Sequence, residues 1–157
     1  MRTFCVIAAI IVSASAGCAS KDTVGTTTGK DEAQSRLNEK DLEQLMQKIG
    51  PTYQALRKEL QGTAVADAAK TAQQLGDLFG GVEKFWTQQN KADAVKFAST
   101  ARTYAAEAAG AAAAGNAAKA IAAAENMGGA CKQCHGTYRE SDGQGGYRIK
   151  PGVITQF

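Results

Sequence analysis

The sequence predicts an all-α protein built as an antiparallel bundle of four helices. Apolar residues recur at three- and four-residue steps through four segments of about 20 residues, the spacing that places them on one face of a helix. The chain of 157 residues has only two prolines, which break helices, and 31 alanines, which form helices best. Short polar turns join the segments, and short connections favour antiparallel neighbours.

The first helix is marked by a single apolar stripe that ends just before residues 61–62. Pro51 interrupts this stripe, and because proline lacks a backbone N–H and clashes with the preceding turn, we expect a kink there. The stripe continues in phase on both sides of Pro51, so the sequence does not predict a helix end at the proline. Its members are Leu42, Leu45, Met46, Ile49, Tyr53, Leu56 and Leu60.

Three more helices follow, and together with the first they make residues 31–157 the predicted globular part. The second ends in a polar break over residues 87–90, and glycine and asparagine loosen the chain over residues 110–116, after the third. The fourth runs to about Arg139. From about residue 142, glycines and a proline predict an irregular tail.

Most of the alanines lie in the third and fourth helices. Alanine buries little apolar area, so a core made from it alone is thin. Two interpretations follow from this composition. Inward-facing small residues leave room for a large cofactor, or they let the helices pack closely, and composition by itself favours close packing.

The first 17 residues are typical of an export signal, with a positive start and a nine-residue apolar stretch at residues 4–12. The small residues before Cys18 resemble a bacterial lipobox, in which the cysteine is acylated. This implies a periplasmic lipoprotein anchored to a membrane, with the outer membrane favoured. The alternative is an ordinary cleaved signal with an incidental Cys18. Residues 18–30 then form a flexible tether rich in Thr, Gly and Lys.

Composition and charge exclude several classes of protein. No apolar run approaches the roughly 18–20 residues that span a bilayer, so a helical channel or transporter is excluded. The formal net charge is +3 with both signs interspersed, which gives no support for a nucleic-acid partner. The pattern places no base near a nucleophile and no carboxylate pair at a useful spacing, so we do not expect an enzyme.

The only histidine of the chain stands beside two cysteines, in Cys131-Lys132-Gln133-Cys134-His135. In an exported protein, C-x-x-C-H is the attachment signature of a c-type haem. Two thiols three residues apart on a helix can each add to a haem vinyl group, and the adjacent imidazole can then reach the iron. A thioredoxin-like dithiol is less favoured because no α/β pattern surrounds it, and a closed zinc site needs four ligands where three are clustered. The motif therefore predicts one covalent haem c.

Around this motif the chain resembles the class II c-type cytochromes, the cytochrome c′ family. An aromatic and a basic residue, Tyr138 and Arg139, follow His135 at the positions where family members commonly carry them. The resemblance covers roughly residues 36–141, and its matching segments are residues 130–139, 45–50 and 85–86. It implies a haem near the C-terminal end of a four-helix bundle, with His135 as the proximal iron ligand. It also implies redox proteins as partners and a homodimer formed through the first two helices.

The sixth iron position decides function in that family. Low-spin members place a methionine on the first helix, and Met46 falls where the resemblance places that ligand. Met127 lies four residues before Cys131 and therefore on the proximal side of the haem. With Met46 as sixth ligand, the protein is expected to be a one-electron carrier. A methionine on an apolar stripe is otherwise core filler, and an open iron face implies a protein that binds nitric oxide or carbon monoxide as scavenger or sensor.

Arg139 carries two interpretations. The resemblance implies that it contacts the haem pocket, for example by pairing with a propionate. The alternative is an exposed cation at the C-terminus of the fourth helix, where positive charge interacts favourably with the helix dipole.

Overall fold

A computed structural model of the chain describes residues 36–62 and 64–155. This part consists of four helices and one short hairpin, joined by turns and followed by irregular residues 150–155. The four helices pack against one another, as the periodicity predicts. The elements are α1 Glu39–Gln61, α2 Val65–Gln88, α3 Ala92–Ala113, α4 Ala117–Tyr138, β1 Arg139–Ser141 and β2 Tyr147–Ile149. The predicted signal at residues 1–17, Cys18 and the tether lie outside the described residues. None of the helices in the described part is both long and apolar enough to cross a membrane.

The ends of α1 follow from its sequence. Asn38 and Asp41 form a capping box: the Asp41 N–H donates to Asn38 Oδ1 at 3.1 Å, and the Asn38 N–H donates to Asp41 Oδ2 at 2.8 Å. Pro51 lies inside α1 without ending it, as the in-phase stripe predicts. The helix closes at Gly62, where the sequence places its end.

The boundary between α3 and α4 is tighter than the sequence suggests. We expected the chain to loosen from Gly110, but α3 continues through that glycine to Ala113, and the turn occupies only residues 114–116. One glycine costs about 1 kcal/mol of helix stability relative to alanine, and the alanines on both sides of it are the strongest helix formers. The turn falls at Gly115, whose φ of 72° suits glycine.

Alanine packs α3 closely between α2 and α4. The buried residues of α3 are all alanines: Ala94, Ala98, Ala101, Ala105, Ala108, Ala109, Ala111 and Ala112. A methyl group built on Gly76 of α2 would lie only 3.9 Å from the Cβ atom of Ala105, which shows how near the two backbones come. Contacts between α2 and α3, and between α3 and α4, are the most extensive among the described elements. The close-packing interpretation of the alanines is therefore correct.

The helices α1 and α4 are joined far less extensively. Their contact includes the Tyr53 hydroxyl, which donates to the Ala124 carbonyl oxygen at 2.9 Å. Gly128 makes this approach feasible, because a side chain at that position would collide with the Tyr53 hydroxyl. Beyond this contact the two helices leave space between them.

The segment after α4 is partly regular, whereas the sequence pattern predicts an irregular tail from about residue 142. Strands β1 and β2 pair antiparallel, with Arg139 opposite Ile149 and Ser141 opposite Tyr147. Two glycines at positive φ shape the connection, and the Asp142 carboxylate accepts hydrogen bonds from backbone N–H groups within it. The glycines thus form a hairpin turn. Composition alone does not distinguish such a turn from an irregular tail.

Candidate functional site

A half-open cavity of about 1010 Å³ lies between α1 and α4. Trp86 of α2 and the hairpin complete its wall. The sequence-predicted residues on its lining are Met46, Cys131, Cys134, His135 and Arg139. The fold therefore brings all of the predicted haem-site residues in the described part to one cavity. In contrast, none of its described lining residues is an alanine or belongs to α3, so the alanines do not make this space.

The two cysteines lie on the cavity face of α4. Both are partly buried free thiols, and their three-residue spacing places them on one side of the helix. Burial raises the pKa of Cys131, and burial together with the neighbouring Cys131 and Asp93 raises the pKa of Cys134 to about 11. Reactive redox dithiols instead have a lowered thiol pKa. The site thus lacks the electrostatics of a thioredoxin-like centre.

His135 presents a neutral imidazole to the cavity. It is partly buried, and burial, aided by the positive charge of Arg139, lowers the pKa of this histidine below its ordinary value of 6.5. A neutral imidazole has a free lone pair and is the form that binds metals. The ring is therefore in its metal-binding state at neutral pH.

Met46 faces the cavity from the opposite helix. Tyr53 of α1 meets Ala124 of α4, and both Met46 and Cys131 lie seven residues from this contact, a distance of about 10 Å along a helix. Because the two helices run in opposite directions, Met46 stands approximately level with Cys131. Met127, by contrast, is fully buried and is not among the described residues of the cavity wall.

The position of Arg139 is compatible with both interpretations, and its contact with a haem stays a prediction. It is exposed, follows the last residue of α4, and also lies on the cavity rim. Its guanidinium carbon is 3.8 Å from the ring centre of Tyr147 on β2, a cation–π contact. The hairpin therefore holds this cation at the edge of the cavity.

Several wall residues were not predicted from the sequence. Trp86 is 2% exposed and belongs to the core, yet it also touches the cavity. Its ring centre lies 4.8 Å from that of Tyr138, whose hydroxyl donates to the Asp93 carboxylate. Arg57 is an exposed residue of α1 and also lines the wall. No sequence motif marks these residues. They reach the cavity wall through contacts between distant parts of the chain, which the local sequence does not indicate.

The cavity fits a haem better than it fits a bare metal ion. Its volume is at the upper end of the range of about 300–1,000 Å³ for cofactor and ligand sites. In residues 36–62 and 64–155, no three His, Cys, Asp or Glu side chains are placed to hold a metal ion. An iron held in a porphyrin needs only axial ligands from the protein. The wall carries four cations (Arg57, Lys132, Arg139 and Arg148) and four carboxylates (Glu39, Glu43, Glu125 and Asp142). Arg148 is paired with Glu140 at 2.8 Å. Arg57, Lys132 and Arg139 are suited to meet the carboxylates of a haem.

Comparisons with known proteins add no support for a particular family. No family model, curated protein or solved structure matches the chain. The Cys-x-x-Cys-His motif and the cavity that its side chains line are the features of this chain that indicate a function.

Proposed function

We propose that this protein is a c-type cytochrome: an antiparallel four-helix bundle with one covalent haem c that carries single electrons. The observation that supports it best is that Cys131, Cys134 and His135 line the same cavity as Met46, with the two sets on different helices. The resemblance of the motif region to the cytochrome c′ family points the same way. In keeping with the sequence pattern, we propose a carrier and not an enzyme.

Each residue has a defined task in this proposal. Cys131 and Cys134 would hold the haem through thioethers, and their protonated thiols would supply the hydrogen for each addition to a vinyl group. His135 and Met46 would supply a nitrogen and a sulfur ligand to its iron. The bound haem would provide one-electron chemistry, with a reduction potential raised by a His/Met ligand pair. The fixed helices α1 and α4 limit movement of the two ligands, which favours rapid electron transfer.

We further propose that the protein works in the periplasm at a membrane surface. An acylated Cys18 would hold it there, with the outer membrane favoured, and residues 18–30 would let the bundle reach redox partner proteins. The support is the lipobox-like sequence alone. The variant Cys18→Ala is expected to move the protein from the membrane fraction to the soluble periplasmic fraction, with its visible spectrum unchanged.

The reduced-state absorption spectrum, recorded with and without carbon monoxide, tests the electron-carrier proposal. The protein is produced in cells that express the c-type haem attachment machinery. We expect a low-spin spectrum that carbon monoxide alters slowly, and a change to high-spin in Met46→Ala. The conservative variant Met46→Leu keeps the apolar volume but lacks the sulfur ligand, and it is expected to behave as Met46→Ala does.

The competing function gives the opposite result in the same experiment. An iron that is open opposite His135 would be high-spin in the parent protein, would bind carbon monoxide rapidly, and would be insensitive to Met46→Leu. That result would make the protein a nitric oxide or carbon monoxide scavenger or sensor. It would leave the roles of Cys131, Cys134 and His135 intact.

A further inference from the structure

Helix α4 passes directly into strand β1 at Arg139. This residue has an extended backbone, with φ of −109° and ψ of 142°, and its N–H donates to the His135 carbonyl oxygen. The carbonyl groups at the end of a helix lack partners inside it, and many helices supply them with a left-handed glycine and the N–H groups that follow. Because α4 continues as a strand, the three carbonyl groups after His135 need donors from another part of the chain.

Lys150, the residue after β2, donates to each of these three groups. Its ammonium donates to the carbonyl oxygen of Gly136 at 3.0 Å and to that of Thr137 at 2.7 Å. Its backbone N–H donates to the carbonyl oxygen of Tyr138 at 2.9 Å. A positive charge at this end of a helix also interacts favourably with the helix dipole. One lysine therefore caps the last turn of α4.

The chain is fixed on both sides of Lys150. Ile149 pairs with β1 and lines the cavity. Residues 153–154 pack against the core, and the Thr155 N–H donates to Oε1 of the buried Gln89 at 2.8 Å. We call residues 149–155 the strap. Because both ends of the strap are held, the Lys150 ammonium is kept at the end of α4.

The last turn of α4 carries His135, which lines the cavity. Lys150 is not among the described residues of the cavity wall, so it acts on the site through the backbone of α4. We propose that Lys150 is a positioning residue: by capping the last turn of α4, its ammonium fixes the His135 imidazole in the cavity wall. The binding of iron by His135 rests on the proposed function, whereas the hold of Lys150 on this turn does not.

Two substitutions separate the ammonium from the rest of the strap. Lys150→Met keeps an unbranched side chain without a donor, whereas Lys150→Arg keeps a positive charge and N–H donors. Both variants keep the backbone N–H that donates to Tyr138. The matched control is Lys119→Met, which replaces an exposed lysine in the first turn of α4, about 24 Å along the helix from His135.

The first measurement is the rate at which His135 reacts with diethyl pyrocarbonate in the full chain, produced with the c-type haem attachment machinery. His135 is the only histidine, and peptide mass spectrometry confirms its modification. The reaction is run at mildly alkaline pH, where the imidazole is neutral in every variant. In a chain without haem the rate reports exposure of the imidazole, and in a loaded chain it reports release of the imidazole from iron. The visible spectrum of the same sample tests the proposed function separately.

We expect His135 to react several-fold faster in Lys150→Met than in the parent protein, because the last turn opens when two of its carbonyl groups lose their donor. Lys150→Arg should react at close to the rate of the parent, and Lys119→Met should not differ from the parent. Amide hydrogen exchange is the second measurement. In Lys150→Met it should become several-fold faster over residues 136–139 and stay unchanged over residues 121–130.

Equal reaction rates of His135 in the parent and in Lys150→Met would overturn the proposal. Faster amide exchange in Lys150→Met with an unchanged rate at His135 would overturn it as well, since Lys150 would then stabilise the helix end without positioning the imidazole. An equal rise of the His135 rate in Lys119→Met would contradict it too, because it would show a general effect of the lost charge.

Discussion

The two sides of this molecule are packed in different ways. On one side, α3 meets α2 and α4 through eight buried alanines, and the backbones come close together. On the other side, α1 and α4 face each other across a cavity of about 1010 Å³ lined by large or polar side chains. Small residues let helices approach, whereas Met46, Tyr53 and their neighbours hold α1 away from α4. Alanine content therefore predicts where helices close together and not where a cofactor fits.

The largest stability effect is expected from enlarging a side chain on the closed side. Ala105 is fully buried near Gly76, so Ala105→Leu must displace neighbouring helices and should lower the free energy of unfolding by about 1–3 kcal/mol or more. The matched control is Ala106→Leu on the exposed face of the same helix. Urea unfolding followed by circular dichroism measures both variants. A similar effect of both substitutions would contradict the close packing assigned to α3.

A smaller effect is expected at the contact between α1 and α4. In Gly128→Ala the new methyl group displaces the Tyr53 hydroxyl, so its hydrogen bond to Ala124, worth about 1 kcal/mol, is lost. Gly129→Ala is the control because nothing lies within 4 Å of the added methyl group, and helix propensity alone should stabilise it by up to about 1 kcal/mol. In thermal or urea unfolding, the free energy of unfolding of Gly129→Ala should therefore exceed that of Gly128→Ala by at least about 1 kcal/mol. The reverse order would show that Tyr53 does not fix the spacing of the two helices.

The hydrogen bond between Tyr138 and Asp93 joins the two sides of the molecule. Its pH dependence should have the smallest effect on the free energy of unfolding. The hydrogen bond from Tyr138 holds the pKa of Asp93 below 3.8, so its contribution to stability is present above that pH and is lost on acidification. Burial and the Asp93 carboxylate raise the pKa of Tyr138 from 10.0 to about 12, so stability is also lost as the pH rises through that interval. The stability difference between the parent protein and Tyr138→Phe should thus be largest between these two limits.

Unfolding curves recorded across the pH range measure this difference. The variant Asp93→Asn has no carboxylate to titrate but keeps Tyr138. At acidic pH, its free energy of unfolding should therefore vary with pH in the same way as that of Tyr138→Phe. If the free energies of unfolding of the parent and Tyr138→Phe differ by the same amount at every pH, the hydrogen bond between Tyr138 and Asp93 would be contradicted.

Features encoded by nearby residues were predictable from the sequence. The α1 stripe, its passage through Pro51 and the end at Gly62 follow from local spacing, and the described structure agrees with each. The Cys-x-x-Cys-His motif predicted which α4 side chains share a face. The resemblance to the cytochrome c′ family selected Met46 on α1. Both sets line the cavity. The binding of haem and the ligand role of Met46 stay predictions.

Features that depend on contacts between distant segments were not predictable. Tyr138 and Asp93 are 45 residues apart, and nothing in the local pattern of either one indicates their hydrogen bond. The hairpin was missed because Gly143 and Gly145 signal a chain reversal or a loose tail equally well, and only pairing of β1 with β2 distinguishes them. The place of Trp86 in the cavity wall could likewise not be predicted from the sequence, since an aromatic residue on an apolar stripe usually indicates a core position.

The most direct test of the central claim is the intact mass of the chain produced with the c-type haem attachment machinery. We predict an added mass of one haem that persists after acid denaturation and is absent in the double variant Cys131→Ala/Cys134→Ala. Single alanine variants at either cysteine should leave the haem held by one thioether. The chain has one tryptophan, and Trp86 lines the cavity, so its fluorescence should also be strongly quenched only in the haem-loaded protein. A colourless chain of unmodified mass, made beside a control cytochrome that is fully loaded in the same cells, would contradict the account.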